Sequence, residues 1–153
     1  MTITTKKGDL GQTDVKGKRL SKSDPLINLI GEIDELSSEI IYFQAKYKLD
    51  KKDYELIVSD LYQISSVLSG YLNDIDLNEH IHFFENEIQK KQNLTHSFIF
   101  PFDDEIKAHL HLLRAKIRSV ERTCFAYSCL ESINLDILKY LNRLSDFIFS
   151  KEL

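Results

Sequence analysis

The chain has few of the residues that interrupt helices, with five glycines and two prolines among 153 residues. Long stretches without either residue favour helices over frequent turns. No apolar run approaches the roughly 18 residues that indicate a membrane span. The N-terminal sequence also lacks the apolar core of a signal peptide. We therefore expect a cytoplasmic protein that does not bind membranes.

Residues suited to metal binding or nucleophilic catalysis are also scarce. The two cysteines are five positions apart and form no CxxC pair, so we expect reduced, packed thiols. The pairs His80/His82 and His109/His111 are each two residues apart, a spacing that directs side chains to different helix faces. No metal site is therefore predicted, and no serine or cysteine has an obvious local base.

The charge of the chain is uneven. The formal net charge is -4, which argues against nucleic acid as a partner. Residues 1–25 contain six Lys or Arg and three Asp, a local charge of +3 that leaves -7 for the remainder. A basic segment in an acidic protein indicates a local anion site rather than a surface for polyanions.

This basic segment also contains three of the five glycines, namely Gly8, Gly11 and Gly17. It lacks helical periodicity and is predicted to be a loop. Glycines allow backbone N–H groups to approach an anion. Further donors are Thr5, Thr13, Lys6 and Lys22. The Walker pattern GxxxxGK[ST] is absent, and a flexible charged tail is the alternative interpretation.

Apolar residues at helical spacing predict five helices after this loop. Asp24 and Pro25 form a strong helix start, with Asp as N-cap and Pro at the first helical position. The helices are placed at 25–47, from about 50 to a break at 73–77, at 77–91, at 104–129, and after a cap at Ser132. We predict an all-α fold, a five-helix bundle forming a single domain over residues 1–153.

The fourth helix contains an unusual row of arginines. In the segment HLHLLRAKIRSVER, Arg114, Arg118, Glu121 and Arg122 recur at i, i+4, i+7 and i+8 on one face. Guanidinium groups this close repel one another unless an anion lies across them. Arginine suits bidentate contact with phosphate or carboxylate. Anion binding and an ion-paired or solvated helix face remain about equally supported.

Other polar and apolar features are ambiguous. The connector THSFIFPFDD around Pro101 contains four large apolar residues. The core, a subunit partner or a ligand must cover them, and the core is favoured for any single Phe. Asn142 and Asp146 form an i, i+4 pair beside an apolar stripe, typical of surface, interface or ligand contacts. Asp34 lies at the edge of the first helix's stripe and either meets a cation or is solvated.

Five motifs in order make the sequence similar to the PduO-type ATP:cob(I)alamin adenosyltransferases. The family pattern TKxGDxGxT matches Thr5 to Thr13, and KRxSKxDP matches Lys18 to Pro25. Its GxxDELN matches Gly31 to Leu36, with Ser37 in place of Asn. Its arginine helix LHxARxxxRRxER is matched at Leu110, His111, Arg114, Arg118, Glu121 and Arg122. Its YLNRLSDxLF matches Tyr140 to Phe149, with Ile148 in place of Leu. The matches extend over residues 5 to 149, nearly the whole chain.

The resemblance implies a homotrimer of five-helix bundles with active sites between subunits. ATP would lie between the N-terminal loop of one subunit, residues 1–24, and the arginine helix of its neighbour. The residues that match the family's ATP site are Thr5, Lys6, Gly8, Asp9, Gly11, Thr13, Lys22, Arg118, Glu121 and Asn142. Arg118 would bind the phosphates. Asp34 and Arg114 would pair across the interface near the corrinoid, and Phe98 would cover the lower face of cobalt.

The implied reaction transfers the 5′-deoxyadenosyl group of ATP to cob(I)alamin, with Mg²⁺, and releases triphosphate. Because Co(I) is the nucleophile, the protein needs cations and orientation rather than a general base. A cobalamin reductase and an adenosylcobalamin-dependent enzyme would be its partners.

Several positions depart from the family pattern. Leu26 replaces an Arg, Ser119 replaces the second Arg of RRxER, and Phe102-Asp103 stand where Gly-Gly is usual. The chain also stops at Leu153, where relatives often continue. These departures support the alternative interpretation, a divergent protein that binds ATP or a corrinoid without transfer.

Overall fold

A computed structural model describes residues 2–94 and 97–153 of the chain. Within them the elements are β1 (Gln12–Val15), β2 (Lys18–Ser21), α1 (Pro25–Tyr47), α2 (Lys52–Leu68), α3 (Asn78–Gln89), α4 (Glu105–Ser128) and α5 (Asp136–Glu152). The predicted five-helix fold is confirmed, with a small two-stranded sheet added. Within these described residues, each helix is too short or too polar to span a membrane.

The start of α1 follows the prediction. The Asp24 carboxylate accepts a hydrogen bond from the Leu26 N–H at 2.8 Å, and Pro25 occupies the first helical position. Such a cap satisfies a backbone donor that the first turn leaves unpaired. The helix runs to Tyr47 and ends where Lys48 adopts a left-handed φ of 52°.

Two predicted helix ends are wrong. The second helix ends at Leu68 rather than at the polar break beginning at 73, because Gly70 adopts a φ of 77° that turns the chain away. The fifth helix is not capped by Ser132. Instead, the Asn134 side-chain oxygen accepts the N–H of Asp136 at 2.9 Å, so the helix begins four residues later than the predicted cap.

The prediction of an irregular N-terminal loop is wrong for residues 12–21, which form an antiparallel hairpin. Lys16 and Gly17 make its two-residue turn with φ values of 45° and 73°, the left-handed backbone that such tight hairpins require. The Lys16 N–H donates to the Tyr71 hydroxyl at 2.7 Å. This bond holds the hairpin against the segment after α2. The two strands were not predicted because they are short and charged and lack the alternation of apolar and polar residues that indicates a strand.

The core lies between helix pairs that share apolar faces. Helix α1 packs on α2 and α4, and α5 packs on α4 and α3. Leu113 and Ile117 of α4 and Leu141 and Leu144 of α5 are fully buried. The prediction of packed thiols is right for Cys124, whose pKa burial raises to about 12, and wrong for Cys129, which is exposed.

One polar network crosses the core. The Tyr140 hydroxyl donates to the Asp60 carboxylate at 2.9 Å, and His80 Nδ1 lies 2.7 Å from the same oxygen. Burial raises the pKa of Asp60, and the bonds from Tyr140 and His80 partly offset that rise. Burial also raises the pKa of Tyr140 well above its usual range, which keeps its hydroxyl protonated as the donor. The network joins α2, α3 and α5.

We expect Tyr140→Phe to lower the free energy of unfolding by about 1.5–3 kcal/mol, because it removes one hydrogen bond to a buried carboxylate. Urea unfolding at fixed protein concentration measures the change. Tyr62→Phe is the control, since Tyr62 is exposed and should shift stability by less than about 0.5 kcal/mol. Equal effects of the two substitutions would show that the Tyr140 bond does not stabilise the fold.

Candidate active site

The packing of α4 against α5 brings Glu121 and Asn142 together. The Asn142 amide donates to Glu121 Oε1 at 3.1 Å, and its oxygen accepts from Arg143 Nη1 at 2.7 Å. Arg143 in turn donates from Nε to Glu85 on α3 at 2.9 Å. The orientation of the Asn142 side chain is thus fixed from both sides. The partners of Asn142 are therefore Glu121 and Arg143, and Asp146 is not among them.

Arg118 lies beside this pair on the arginine face. Its side chain is exposed, and among the described residues no carboxylate lies within ion-pairing distance of its guanidinium. Loss of hydration raises the pKa of the neighbouring Asp146 carboxyl, an effect that the charges of Arg143, Arg118 and Arg114 partly offset. Because Arg118 is exposed and has no ion-pair partner among the described residues, it is positioned to contact an anion from solution.

Arg114, in contrast, has a partner within its own chain. Its Nε lies 3.8 Å from Oε1 of Glu152, and its guanidinium lies 5.7 Å from the centre of the Phe149 ring. Asp34, its predicted partner across the interface, is exposed on α1. No ion pair joins the two within the described part of one chain, so their pairing between subunits stays a prediction.

The glycine-containing segment before and through the hairpin is also ordered by named contacts. The Lys22 N–H donates to the Gly11 carbonyl at 2.9 Å, and the Gly11 N–H donates to the Gly8 carbonyl at 3.1 Å. A Cβ added to Gly8 would lie 3.1 Å from the Lys22 ammonium nitrogen, so the absent side chain lets that cation approach the backbone. Arg19 donates to the Lys7 carbonyl and at 3.0 Å to Asp14.

The other loop residues predicted for this site present their side chains outward. Thr5, Lys6 and Asp9 are exposed, and Lys6 adopts a φ of 59°. Thr13 lies on β1 opposite Leu20. It lines a cavity of about 420 Å³ together with Asp34. The hairpin thus places one predicted nucleotide residue beside one predicted corrinoid residue.

The loop and the arginine face remain separate within one chain. Among residues 2–94 and 97–153, no hydrogen bond or ion pair connects Thr5–Lys22 with Arg118, Glu121 or Asn142. Within these residues the two sets of candidate anion-binding groups make no direct polar contact with each other.

The apolar connector between α3 and α4 is not covered by the core. Phe98, Phe100 and Phe102 are 81%, 69% and 90% exposed. The rings of Phe100 and Phe102 stack with centroids 6.5 Å apart. The prediction that the core covers these residues is wrong for these three, which leaves a subunit partner or a ligand. The first two residues of the connector, Thr95 and His96, lie outside the described residues.

Two residues that contribute to the site were given no role by the sequence, although Arg19 lies within a matched motif. Arg19 fastens the N-terminal segment to the hairpin, and Glu152 meets Arg114 from the last turn of α5. Their partners are either local backbone groups or residues on a different helix, which no motif or periodicity indicates. Among the described residues, no group of three or more His, Cys, Asp or Glu side chains is arranged to hold a metal ion.

The chain is similar to known proteins over nearly its whole length. A family profile described as cobalamin adenosyltransferase matches residues 3–152. The chain is 30% identical to the corrinoid adenosyltransferase of Bacillus subtilis, over 98% of this chain and 84% of that protein. It is 26% identical to the corrinoid adenosyltransferase PduO of Salmonella typhimurium, over 98% of this chain but only 48% of that protein.

A solved structure extends the similarity to the fold. It is a phenylalanine-to-histidine variant of a PduO-type ATP:corrinoid adenosyltransferase from Lactobacillus reuteri, in complex with cobalamin and ATP. The TM-score is 0.89 at 27% sequence identity, and the match covers 99% of this chain and 89% of that chain.

Proposed function

The chain belongs to the cobalamin adenosyltransferase family, and on that premise we propose that its active site forms between two copies. The observation that carries this proposal is the separation of the glycine-containing loop from the arginine face on a single chain. When the loop of one copy meets the arginine face of the next, each interface gains a complete set of anion-binding groups. Head-to-tail contacts of this kind form a ring when the rotation between copies closes, and the family resemblance supports a ring of three chains.

The enzyme transfers the 5′-deoxyadenosyl group of ATP to cob(I)alamin and forms adenosylcobalamin. We assign ATP binding to residues 1–24 of one copy, with the bundle of the next copy completing the site. The loop side comprises Thr5, Lys6, Gly8, Asp9, Gly11, Thr13 and Lys22. The bundle side comprises Arg118, Glu121 and Asn142. Because Asn142 is already oriented by its neighbours, it needs little reorganisation to receive a ligand.

The residues fit a reaction in which the substrates supply the reactivity. The Co(I) electron pair forms a bond to the ribose 5′ carbon, and the carbon–oxygen bond breaks with its electrons leaving on triphosphate. Cobalt becomes formally Co(III), and no proton is moved. What the protein supplies is alignment of the carbon with cobalt and stabilisation of the negative leaving group. Arg118, exposed and without an ion-pair partner among the described residues, serves the second role.

Mg²⁺ is compatible with these residues if the triphosphate provides most of its ligands. This ion is commonly bound through one or two carboxylates together with phosphate oxygens and water. Glu121 offers one carboxylate beside the proposed phosphate site. When bound, the ion would neutralise part of the triphosphate charge.

The exposed phenylalanines fit the corrinoid side of the site. Phe98 presents 81% of its surface, as expected of a residue that covers a ligand rather than the core. Asp34 and Arg114 would pair nearby across the interface. Phe102 and Asp103, at the usual Gly-Gly position, belong to this same connector and would adjust corrinoid affinity. A separate reductase would supply the Co(I) substrate, and an adenosylcobalamin-dependent enzyme would receive the product.

We expect purified protein to convert chemically reduced cob(I)alamin and Mg-ATP to adenosylcobalamin under anaerobic conditions. Absorbance spectra follow the conversion, and a mixture without ATP is the control. Conversion that depends on both protein and ATP supports the proposed function. ATP binding without conversion would instead identify a divergent binding protein.

A further inference from the structure

Glu152 is a charged residue in an unusual place. Its side chain is 0% exposed, and its carboxylate lies between α5 and α4. A buried carboxylate strongly destabilises a fold unless cations or hydrogen-bond donors compensate for its lost hydration. His111 Nδ1 donates to Glu152 Oε2 at 3.0 Å. Oε1 faces Arg114 Nε at 3.8 Å, and neither of these two atoms has a hydrogen-bond partner.

The same contacts restrict the Arg114 guanidinium on several sides. Its Nε edge faces Glu152, and its Nη2 lies 3.5 Å from His111 Nε2. Because a carboxylate only accepts, Nδ1 of His111 is the donor to Glu152, and in the neutral ring Nε2 is left as an acceptor toward Arg114. The Phe149 ring lies against the guanidinium with its centre 5.7 Å away. These contacts leave the Nη side of Arg114 directed away from Glu152.

We propose that Glu152 and His111 are positioning residues that hold Arg114 ready for the corrinoid side of the active site. This inference rests on the proposed function, because that function assigns Arg114 to the subunit interface. Glu152 balances the charge of Arg114 from within the chain, while the Nη edge remains for a carboxylate of the neighbouring copy. The loose 3.8 Å contact is suited to tightening when that neighbour and substrate arrive.

We expect Glu152→Gln to lower kcat/KM for cob(I)alamin by about ten- to a hundredfold, because an arginine displaced by about 1 Å loses its alignment. The KM for ATP should change by less than about twofold, since Glu152 is not among the ATP-binding residues. Glu152→Asp restores the charge and should recover part of the loss. The control is Asp53→Asn, which should leave kcat/KM unchanged. It removes a different carboxylate that pairs with the last turn of α5, since Asp53 lies 3.1 Å from the Lys151 ammonium.

A double-mutant cycle separates positioning from general stability. If Glu152 acts through Arg114, Glu152→Gln should change kcat/KM by less than about twofold in an Arg114→Ala background. The same fold-loss in both backgrounds, or an equal loss with Asp53→Asn, would overturn the proposal. His111→Asn should show the same dependence on Arg114.

A measurement without substrates keeps this inference distinct from the proposed function. In ¹⁵N-labelled protein, the Nε–H resonance of Arg114 is identified by its loss in Arg114→Lys. Its chemical shift should move in Glu152→Gln, because that substitution removes the carboxylate charge that Nε faces at 3.8 Å, and should stay in place in Asp53→Asn. An unchanged resonance in Glu152→Gln would contradict the positioning contact. If wild-type protein makes no adenosylcobalamin, the proposed function fails, whereas the contact is judged by this signal alone.

Discussion

Arg118→Ala is expected to lower kcat for adenosyl transfer by about 100- to 1,000-fold, the loss typical when one preorganised donor to a developing negative charge is removed. The guanidinium is exposed on α4, so its removal opens no cavity in the core. The variant should elute from size-exclusion chromatography as wild-type protein does and should unfold at the same temperature. Its rate is measured by the anaerobic absorbance assay with cob(I)alamin and Mg-ATP.

Two further substitutions sharpen this result. Arg118→Lys keeps the charge but loses the planar fork, so its rate should lie between those of wild-type protein and Arg118→Ala. Lys107→Ala removes a cation from the first turn of the same helix, outside the proposed site, and should leave the rate unchanged. Wild-type activity in Arg118→Ala would refute the role assigned to Arg118.

The second large effect is recovery of activity from two inactive variants. Lys22→Ala disables the loop half of the proposed site, and Arg118→Ala disables the helix half. Each homo-oligomer should be nearly inactive. Random mixing of equal amounts in a ring places an intact loop beside an intact arginine face at about one interface in four, which restores about a quarter of wild-type activity. Subunits are mixed by refolding together from urea, and activity is then measured.

The controls for this experiment address refolding and site geometry. Wild-type protein taken through urea alone sets the recoverable activity. A second control mixes wild-type protein with a double variant that carries both substitutions on one chain. In this mixture an interface is active only when both of its chains are wild type, so about a quarter of wild-type activity is again expected. Absence of recovery in the mixture of single variants, with wild-type protein recovering fully, would place both halves of the site on the same chain and refute the shared site.

The sequence predicts those parts of the molecule that local rules determine. Asp24 and Pro25 define the start of α1 because capping depends on adjacent residues alone. Arg118, Glu121 and Asn142 could be assigned to one site because they match family motifs, and Glu121 and Asn142 are indeed hydrogen bonded. The assignment of Arg118 to the phosphates stays a prediction.

Other features depend on contacts between distant residues and were not predictable. The hairpin is docked by a bond from Lys16 to Tyr71, 55 positions away, and its strands are too short for a clear alternating pattern. Glu152 meets His111 from 41 positions away. The exposure of Phe100 and Phe102 was not predicted, because the core was the favoured cover for any single Phe and only Phe98 matched a family position at the corrinoid. A single sequence does not specify which apolar residues are reserved for a partner or a ligand.

The separation of the loop from the arginine face has a consequence for how activity varies with amount. If each site needs two copies, a lone chain is catalytically silent, and activity rises more steeply than in proportion to protein at concentrations near the dissociation constant of the ring. Dilution then dissociates the ring and lowers activity. Ligands that contact both the loop and the arginine face favour assembly. A cell making little of this chain would have disproportionately little adenosylation capacity, and a defective copy would impair the intact copies beside it.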